Sequence, residues 1–215
     1  MNTTVAFLAQ TLAIFMGFFT RVVFTRTLSE GYVGINGLFT DILNILSLSE
    51  LGVGTAITYA LYAPIARRDI KKQQILMRMF RNFYRITAGF VLLAGLCLIP
   101  FLDILMKDRP DVNHLIIIYL LYLLNSVVSY LLIYKKTLVD AHQMNYITVM
   151  YHNGFLVLQD ILQIIVLFLT RNFILFLVIA VVCTIIGNIC MSRKADRLFP
   201  YLKEPCKEQL PQEER

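Results

Sequence analysis

The sequence predicts an all-α integral membrane protein, a lobe of six transmembrane helices with both termini on the cytoplasmic side. Three observations predict it. The 215 residues are 58% hydrophobic and only 16% charged, with mean hydropathy +0.67, too apolar for a soluble domain of this length. The apolar residues fall into six stretches, each near the ~20 residues that cross a bilayer as a helix. The basic residues gather in alternate loops, as they do in multi-pass proteins.

The helices are expected at 5–24, 33–62, 83–106, 115–134, 147–169 and 173–191, with a polar cytoplasmic tail or linker at 201–215. The first has no basic lead-in and no small-residue cleavage site behind it, so it reads as a retained span, not a signal peptide. The second is too long to lie wholly in hydrocarbon; a tilt, a break near its glycines, or an end projecting into water accommodates it. Between the second and third, residues 67–85 read as a basic amphipathic helix on the membrane surface. Ile75, Leu76, Met79, Phe80 and Phe83 dip inward there, and Arg78, Arg81 and Arg85 face headgroups. The 107–112 segment turns between helices three and four. Thr170-Arg171-Asn172 joins five to six so tightly that they must be antiparallel neighbours.

Orientation follows from charge. Arg67, Arg68, Lys71, Lys72, Arg78, Arg81, Arg85, Lys135, Lys136, Arg193, Lys194, Arg197, Lys203 and Lys207 share one side. The other side carries Arg26, Lys107, Arg109 and Arg171. The basic side is then cytoplasmic, and the net charge of +6 reflects topology. The charge is split among loops with no stacking platform beside it, so nucleic acid is not an expected partner. Cys97, Cys183, Cys190 and Cys206 form no C-x-x-C pair and read as reduced structural thiols. His114, His142 and His152 are spaced too widely for a helical metal pair. No paired carboxylates, nucleophile elbow or phosphate loop occurs either, so the chain is not expected to be an enzyme, and no metal or organic cofactor is expected.

Within these apolar segments, polar residues recur in register. At about 100° per residue, Asn36, Thr40, Asn44, Ser47, Glu50, Gly54 and Thr58 fall within an arc of roughly 120°, opposite Leu38, Phe39, Ile42, Leu46, Val53 and Ile57. On helix five, Asn145, His152, Gln159 and Gln163 align, with Asn153 and Asp160 at the flank. Such residues either glue helices together or line a hydrated cavity. Two full-length stripes containing Asp41, Glu50 and Asp160 favour the cavity, because ionisable groups are the costliest to bury without a function. Tyr122, Asn125 and Ser129 give helix four a weaker wet face. Arg21 and Arg26, near the outer end of helix one, either offer a planar fork to phosphate or snorkel to headgroups.

Residues 26–39 (RTLSEGYVGINGLF) and 46–57 (LSLSELGVGTAI) resemble the start of bacterial polysaccharide-transport flippases. These are O-antigen and capsule repeat-unit exporters of the multidrug/oligosaccharidyl-lipid/polysaccharide exporter superfamily. YKKTL at 134–138, LTRNFIL at 169–175 and SRKADRLFPYL at 192–202 are similar to that family's Gram-positive branch. The resemblance implies a bacterial plasma-membrane transporter that moves undecaprenyl-pyrophosphate-linked oligosaccharide from the inner to the outer leaflet by alternating access. It implies Arg21 and Arg26 at the pyrophosphate and Asn36, Asn44, Glu50, Gln159 and Gln163 along the sugar path. Asp41, Glu50 or Asp160 are the candidates to couple a cation, Na+ or H+. The expected partners are the lipid-linked oligosaccharide, membrane lipids and a second lobe. Family members pair two such lobes, so this chain is expected to be a fragment, a truncated reading frame, or a lobe that joins another chain. The alternatives are a lipid II or multidrug exporter of the same superfamily, a non-transporting membrane scaffold and, third, a membrane glycosyltransferase or polymerase.

Overall fold

A computed structural model describes residues 2–47, 53–102, 112 and 114–203. Among them there is no strand. The chain runs α1 (Asn2–Thr27), α2 (Glu30–Ser47), α3 (Val53–Ala66), α4 (Ile70–Leu98), α5 (Leu115–Leu131), α6 (Ile133–Ala141), α7 (Asn145–Thr170) and α8 (Phe173–Leu198). Short 3-10 turns follow α4 and α8. Four helical segments among the described residues are long and apolar enough to cross a membrane: 7–27, 70–101, 145–170 and 173–198. The pair α5 and α6, bent by 42°, makes a fifth if taken as one broken span.

Local chemistry sets the ends. Asp69 caps α4, its carboxylate accepting from the Lys72 amide at 3.0 Å. Asn172 caps α8 by accepting from the amides of Ile174 (2.9 Å) and Leu175 (3.3 Å). Arg171, at φ 49°, closes α7 in the left-handed region. The expected tight turn is therefore this two-residue link, and α7 and α8 lie against each other as antiparallel neighbours. Close backbone approach at Gly187 seats Phe155 between them: a Cβ there would lie 3.2 Å from that ring.

Two sequence expectations are revised. The 33–62 stretch holds two helices, α2 and α3, on either side of 48–52, which lie outside the described residues. The basic segment 67–85 is not a separate surface helix, because from Ile70 it is the first half of the continuous α4. Of its expected membrane-facing residues, Leu76 and Phe80 pack on protein, whereas Met79 stays half exposed. Leu76, Met77, Phe80 and Tyr84 are buried, and Gln73 bonds outward on two sides. Its amide donates to the Pro64 carbonyl at 3.2 Å, and its oxygen accepts the Tyr201 hydroxyl at 2.5 Å. The inner face of α4 is thus held by α3 and the 200–203 turn, while Met79, Ile86, Phe90 and Leu93 remain exposed on its outer side.

The core runs between the helices from Phe24, Ile35 and Phe39 through Tyr119, Leu123 and Val91 to Leu138 and Leu61. Much of the outer surface is apolar: on α1, Phe7, Leu8, Ile14, Phe15, Phe18 and Phe19 are all more than half exposed. In water such a belt would be a large apolar patch, whereas hydrocarbon solvates it without cost. Alternating helix direction brings the basic termini together. There Lys135 on α6 bonds both Asp196 oxygens and the Ser192 hydroxyl on α8, each at 2.8 Å. The opposite end is closed by an aromatic cluster of Phe24, Tyr32, Phe173 and Phe176, with centroids 5.2–5.9 Å apart.

Candidate functional site

The α2 stripe is split from the core as its periodicity requires. Ile35, Phe39, Ile42 and Leu43 are buried against α4 and α5. Thr40, Asp41 and Asn44 are exposed on the surface of the bundle. Thr40 keeps its own hydroxyl satisfied by donating to the Asn36 carbonyl at 2.6 Å. Among the described residues, Thr40, Asp41 and Asn44 therefore lie on the outer surface, and no α2 residue lines a cavity shared with the α7 stripe. Glu50, also a candidate on it, lies outside the described residues.

At the rim of that surface the fold assembles a polar cluster from three helices. Tyr122 on α5 donates its hydroxyl to the Asn36 side-chain oxygen on α2. The positive charge of Arg21 on α1 is close enough to act on that phenol. Arg21 itself is exposed, its guanidinium carbon 5.9 Å from the centroid of the Phe24 ring. This cation–π contact, worth about 0.5–1 kcal/mol at an exposed site, holds the arginine over the aromatic cluster with its N–H donors still available. Phe39 and Phe173 pack on the Tyr122 ring at 5.8 and 6.4 Å. Of the predicted residues, Arg21 and Asn36 are thus brought together, with Tyr122 between them. Arg26 is exposed one and a half turns further along α1, at its last turn.

On α7 the predicted stripe divides. Asn153 is buried and donates to Gln10 of α1 at 2.9 Å. Gln163 is buried and donates to the Phe176 carbonyl of α8 at 3.0 Å. Both sit in helix–helix contacts, and Asp160 lies beside the Thr20 hydroxyl between α7 and α1. Gln159 and His152, by contrast, line a pocket of about 270 Å³ between α5, α7 and α8. Its wall also carries Asn125, Ser129, Lys136 and Asn188. The Asn188 amide is committed to the Val128 carbonyl at 3.1 Å, whereas the buried Asn125 side-chain oxygen accepts no hydrogen bond.

Lys136, Thr184 and Asn188 were not among the sequence candidates. Thr184 and Asn188 stand four residues apart in the apolar 173–191 part of α8, the same signal that Asn125 and Ser129 give on α5. Lys136 gives no such signal, because it follows the expected end of its helix at residue 134. The three thiols within the described residues are free, Cys183 buried and Cys97 exposed. Comparison of the chain with models of protein families, with curated proteins and with solved structures gave no match.

Proposed function

We propose that this chain is one lobe of a flippase that moves undecaprenyl-pyrophosphate-linked oligosaccharide across the bacterial plasma membrane for cell-surface polysaccharide synthesis. One observation carries the reading: α2 buries its apolar face and turns Thr40, Asp41 and Asn44 outward. Charged and polar groups at membrane depth cost several kcal/mol in hydrocarbon unless they meet protein or water. A second lobe enclosing a hydrated path against this face keeps the exposed Asp41 carboxylate in water, and two bodies are what alternating access requires. The resemblance of 26–39, 46–57 and 192–202 to polysaccharide exporters supplies the substrate class.

In this reading the basic end is cytoplasmic and Arg21, over its aromatic platform, receives the pyrophosphate with a bidentate fork. Arg26 extends that positive surface. Asn36 and Asn44 offer neutral hydrogen bonds to sugar hydroxyls, with Glu50 following them in sequence. Gln159 contributes from the pocket side, while Gln163 acts through the α7–α8 contact. Asp41, Glu50 and Asp160 remain the candidates for ion coupling, with Na+ or H+ as the ion.

A second reading, a non-transporting scaffold, is favoured by the α7 residues Asn153 and Gln163, whose polar groups serve helix packing. Reconstitution decides between them. The purified chain, in whatever oligomeric state light scattering finds, is placed in vesicles with fluorescent lipid-linked oligosaccharide, and its accessibility to an external quencher is followed. Transbilayer movement that Arg21→Ala and Asp41→Asn slow supports the flippase. No movement from any assembly of the chain, alone or with a co-purified partner, supports the scaffold.

A further inference from the structure

The pocket between α5, α7 and α8 runs from the first turn of α7, at Thr148, toward the middle of the bundle at Gln159 and Cys183. Lys136 is the one charged side chain among the described residues that line it. Its neighbour Lys135 is occupied by Asp196, so the two adjacent lysines have different tasks. Deeper in, the Asn125 oxygen is buried without a donor, which is costly unless something supplies one. The remaining polar lining is neutral. Just behind it the Asp140 carboxylate accepts the hydroxyl of the lining Thr148 at 2.6 Å and feels the charge of Lys136, balancing part of it.

A second feature adjoins it. Met150, Tyr151, Gly154, Phe155 and Leu158 form an open, apolar groove of about 280 Å³ on the flank of α7. Tyr151 and Phe155 line both spaces, so the polar pocket opens beside the groove. Met150 and Leu158 are each 45% exposed, and a Cβ at Gly154 would have no neighbour within 4 Å. A small polar solute would leave the groove unused, and a purely apolar ligand would leave Lys136 and Asn125 unsolvated. An amphiphile satisfies both.

We propose that this pocket binds the headgroup of an anionic, hydroxyl-bearing phospholipid from the leaflet at the basic end. Lys136 takes its phosphodiester, a glycerol hydroxyl donates to Asn125, and an acyl chain lies in the groove over Gly154. Basic pockets between helices on the cytoplasmic side are physically suited to such headgroups. The inference is independent of transport and holds for a scaffold as well as for a flippase.

The test uses the full chain, delipidated in mild detergent, with phosphatidylglycerol, phosphatidylethanolamine and phosphatidylcholine added separately. Native mass spectrometry counts retained lipid, and thermal unfolding reports its stabilisation. One phosphatidylglycerol per chain is expected, at half-saturating concentration about fivefold below phosphatidylcholine, the preference one lysine supplies. Lys136→Gln removes the preference and Lys136→Arg keeps it. Gly154→Phe enters the groove through a Cβ that meets no atom within 4 Å and lays its ring along the groove walls. It therefore weakens retention of every lipid, while Gly154→Ala, which leaves the groove open, retains them. Equal binding of all three lipids, phosphatidylethanolamine matching phosphatidylglycerol, or an unaltered preference in Lys136→Gln overturns the headgroup assignment. Undiminished retention by Gly154→Phe overturns the chain placement, and this variant decides even where Lys136→Gln fails to fold.

Discussion

Replacing Gly95 by alanine tests the tightest of the glycine contacts among the described residues. Gly95 on α4 faces Leu123 on α5, and a Cβ built there would lie 2.3 Å from one Leu123 methyl carbon, 3.0 Å from the other and 3.2 Å from Cγ. Carbon atoms in contact sit about 3.5–4.0 Å apart, so the nearer methyl must retreat by roughly 1.2 Å or more. Leu123 has nowhere to go: it is 1% exposed, and the helices are pinned beside it by the Tyr119 hydroxyl donating to the Gly95 carbonyl at 2.8 Å. Overpacking of this kind costs about 1–3 kcal/mol, against which alanine returns up to about 1 kcal/mol of helix propensity. The net expectation is a loss of about 1 kcal/mol, or about 2–4 °C in melting temperature for a chain of this size.

Leu123→Ala alone should cost about 2–5 kcal/mol through the cavity it leaves. In the double variant the new methyl enters that cavity, so the combined loss falls below the sum by about 1–3 kcal/mol. The chain has no tryptophan, so unfolding is followed by circular dichroism, or by a thiol-reactive dye that reads the buried Cys183. A stabilising Gly95→Ala that adds independently to Leu123→Ala would refute this packing of α4 on α5.

Three further outcomes are expected. Lys135→Gln and Asp196→Asn each leave a half-buried partner unpaired, so each alone should cost about 1.5–3 kcal/mol and the double variant less than their sum; strict additivity in thermal unfolding would contradict the ion pair. Burial pushes the Tyr201 hydroxyl up from its usual 10.0 to about 12. The folded chain then keeps this proton after the unfolded chain has released it, so the contribution is complete below pH 10 and lost as pH rises toward 12. Tyr201→Phe should flatten that alkaline fall, and an unchanged slope would deny the burial. Finally, single cysteines at Arg67 and Asp140 in a cysteine-free chain should resist an impermeant maleimide on intact cells while one at Arg171 is labelled; labelling at Arg67 inverts the topology.

Much of the helical plan was legible because hydropathy and loop chemistry act locally. The turn before Phe173 was readable from Thr170-Arg171-Asn172, and the ends of α7 lie within two residues of expectation. The bend at Leu132 was not: it lies in an apolar run without proline or glycine, and its φ of −123° and ψ of 5° answer to packing around α6. Nor did hydropathy separate α4 from a surface helix, since its inner face is fixed by tertiary partners such as Tyr201, which bonds Gln73 from 128 residues away. The polar stripes show the same boundary. Spacing gives the face on which Asn153, Gln159 and Gln163 lie, but the neighbours decide that Asn153 and Gln163 bond to helices while Gln159 meets a pocket. For α2 the periodicity sufficed, because Phe39 and Asp41 point to different sides in any helix.

The most direct test of a hydrated path is the reactivity of α2 in its native membrane. Single cysteines at Thr40, Asp41 and Asn44 are compared with Phe39 and Ile42 inside the bundle and with Phe18 and Phe19 on the apolar face of α1. A small hydrophilic thiol reagent should modify the first three and spare the other four. Thr40, Asp41 and Asn44 positions as unreactive as Phe18 and Phe19 would place the stripe against lipid or dry protein and contradict the proposed pathway.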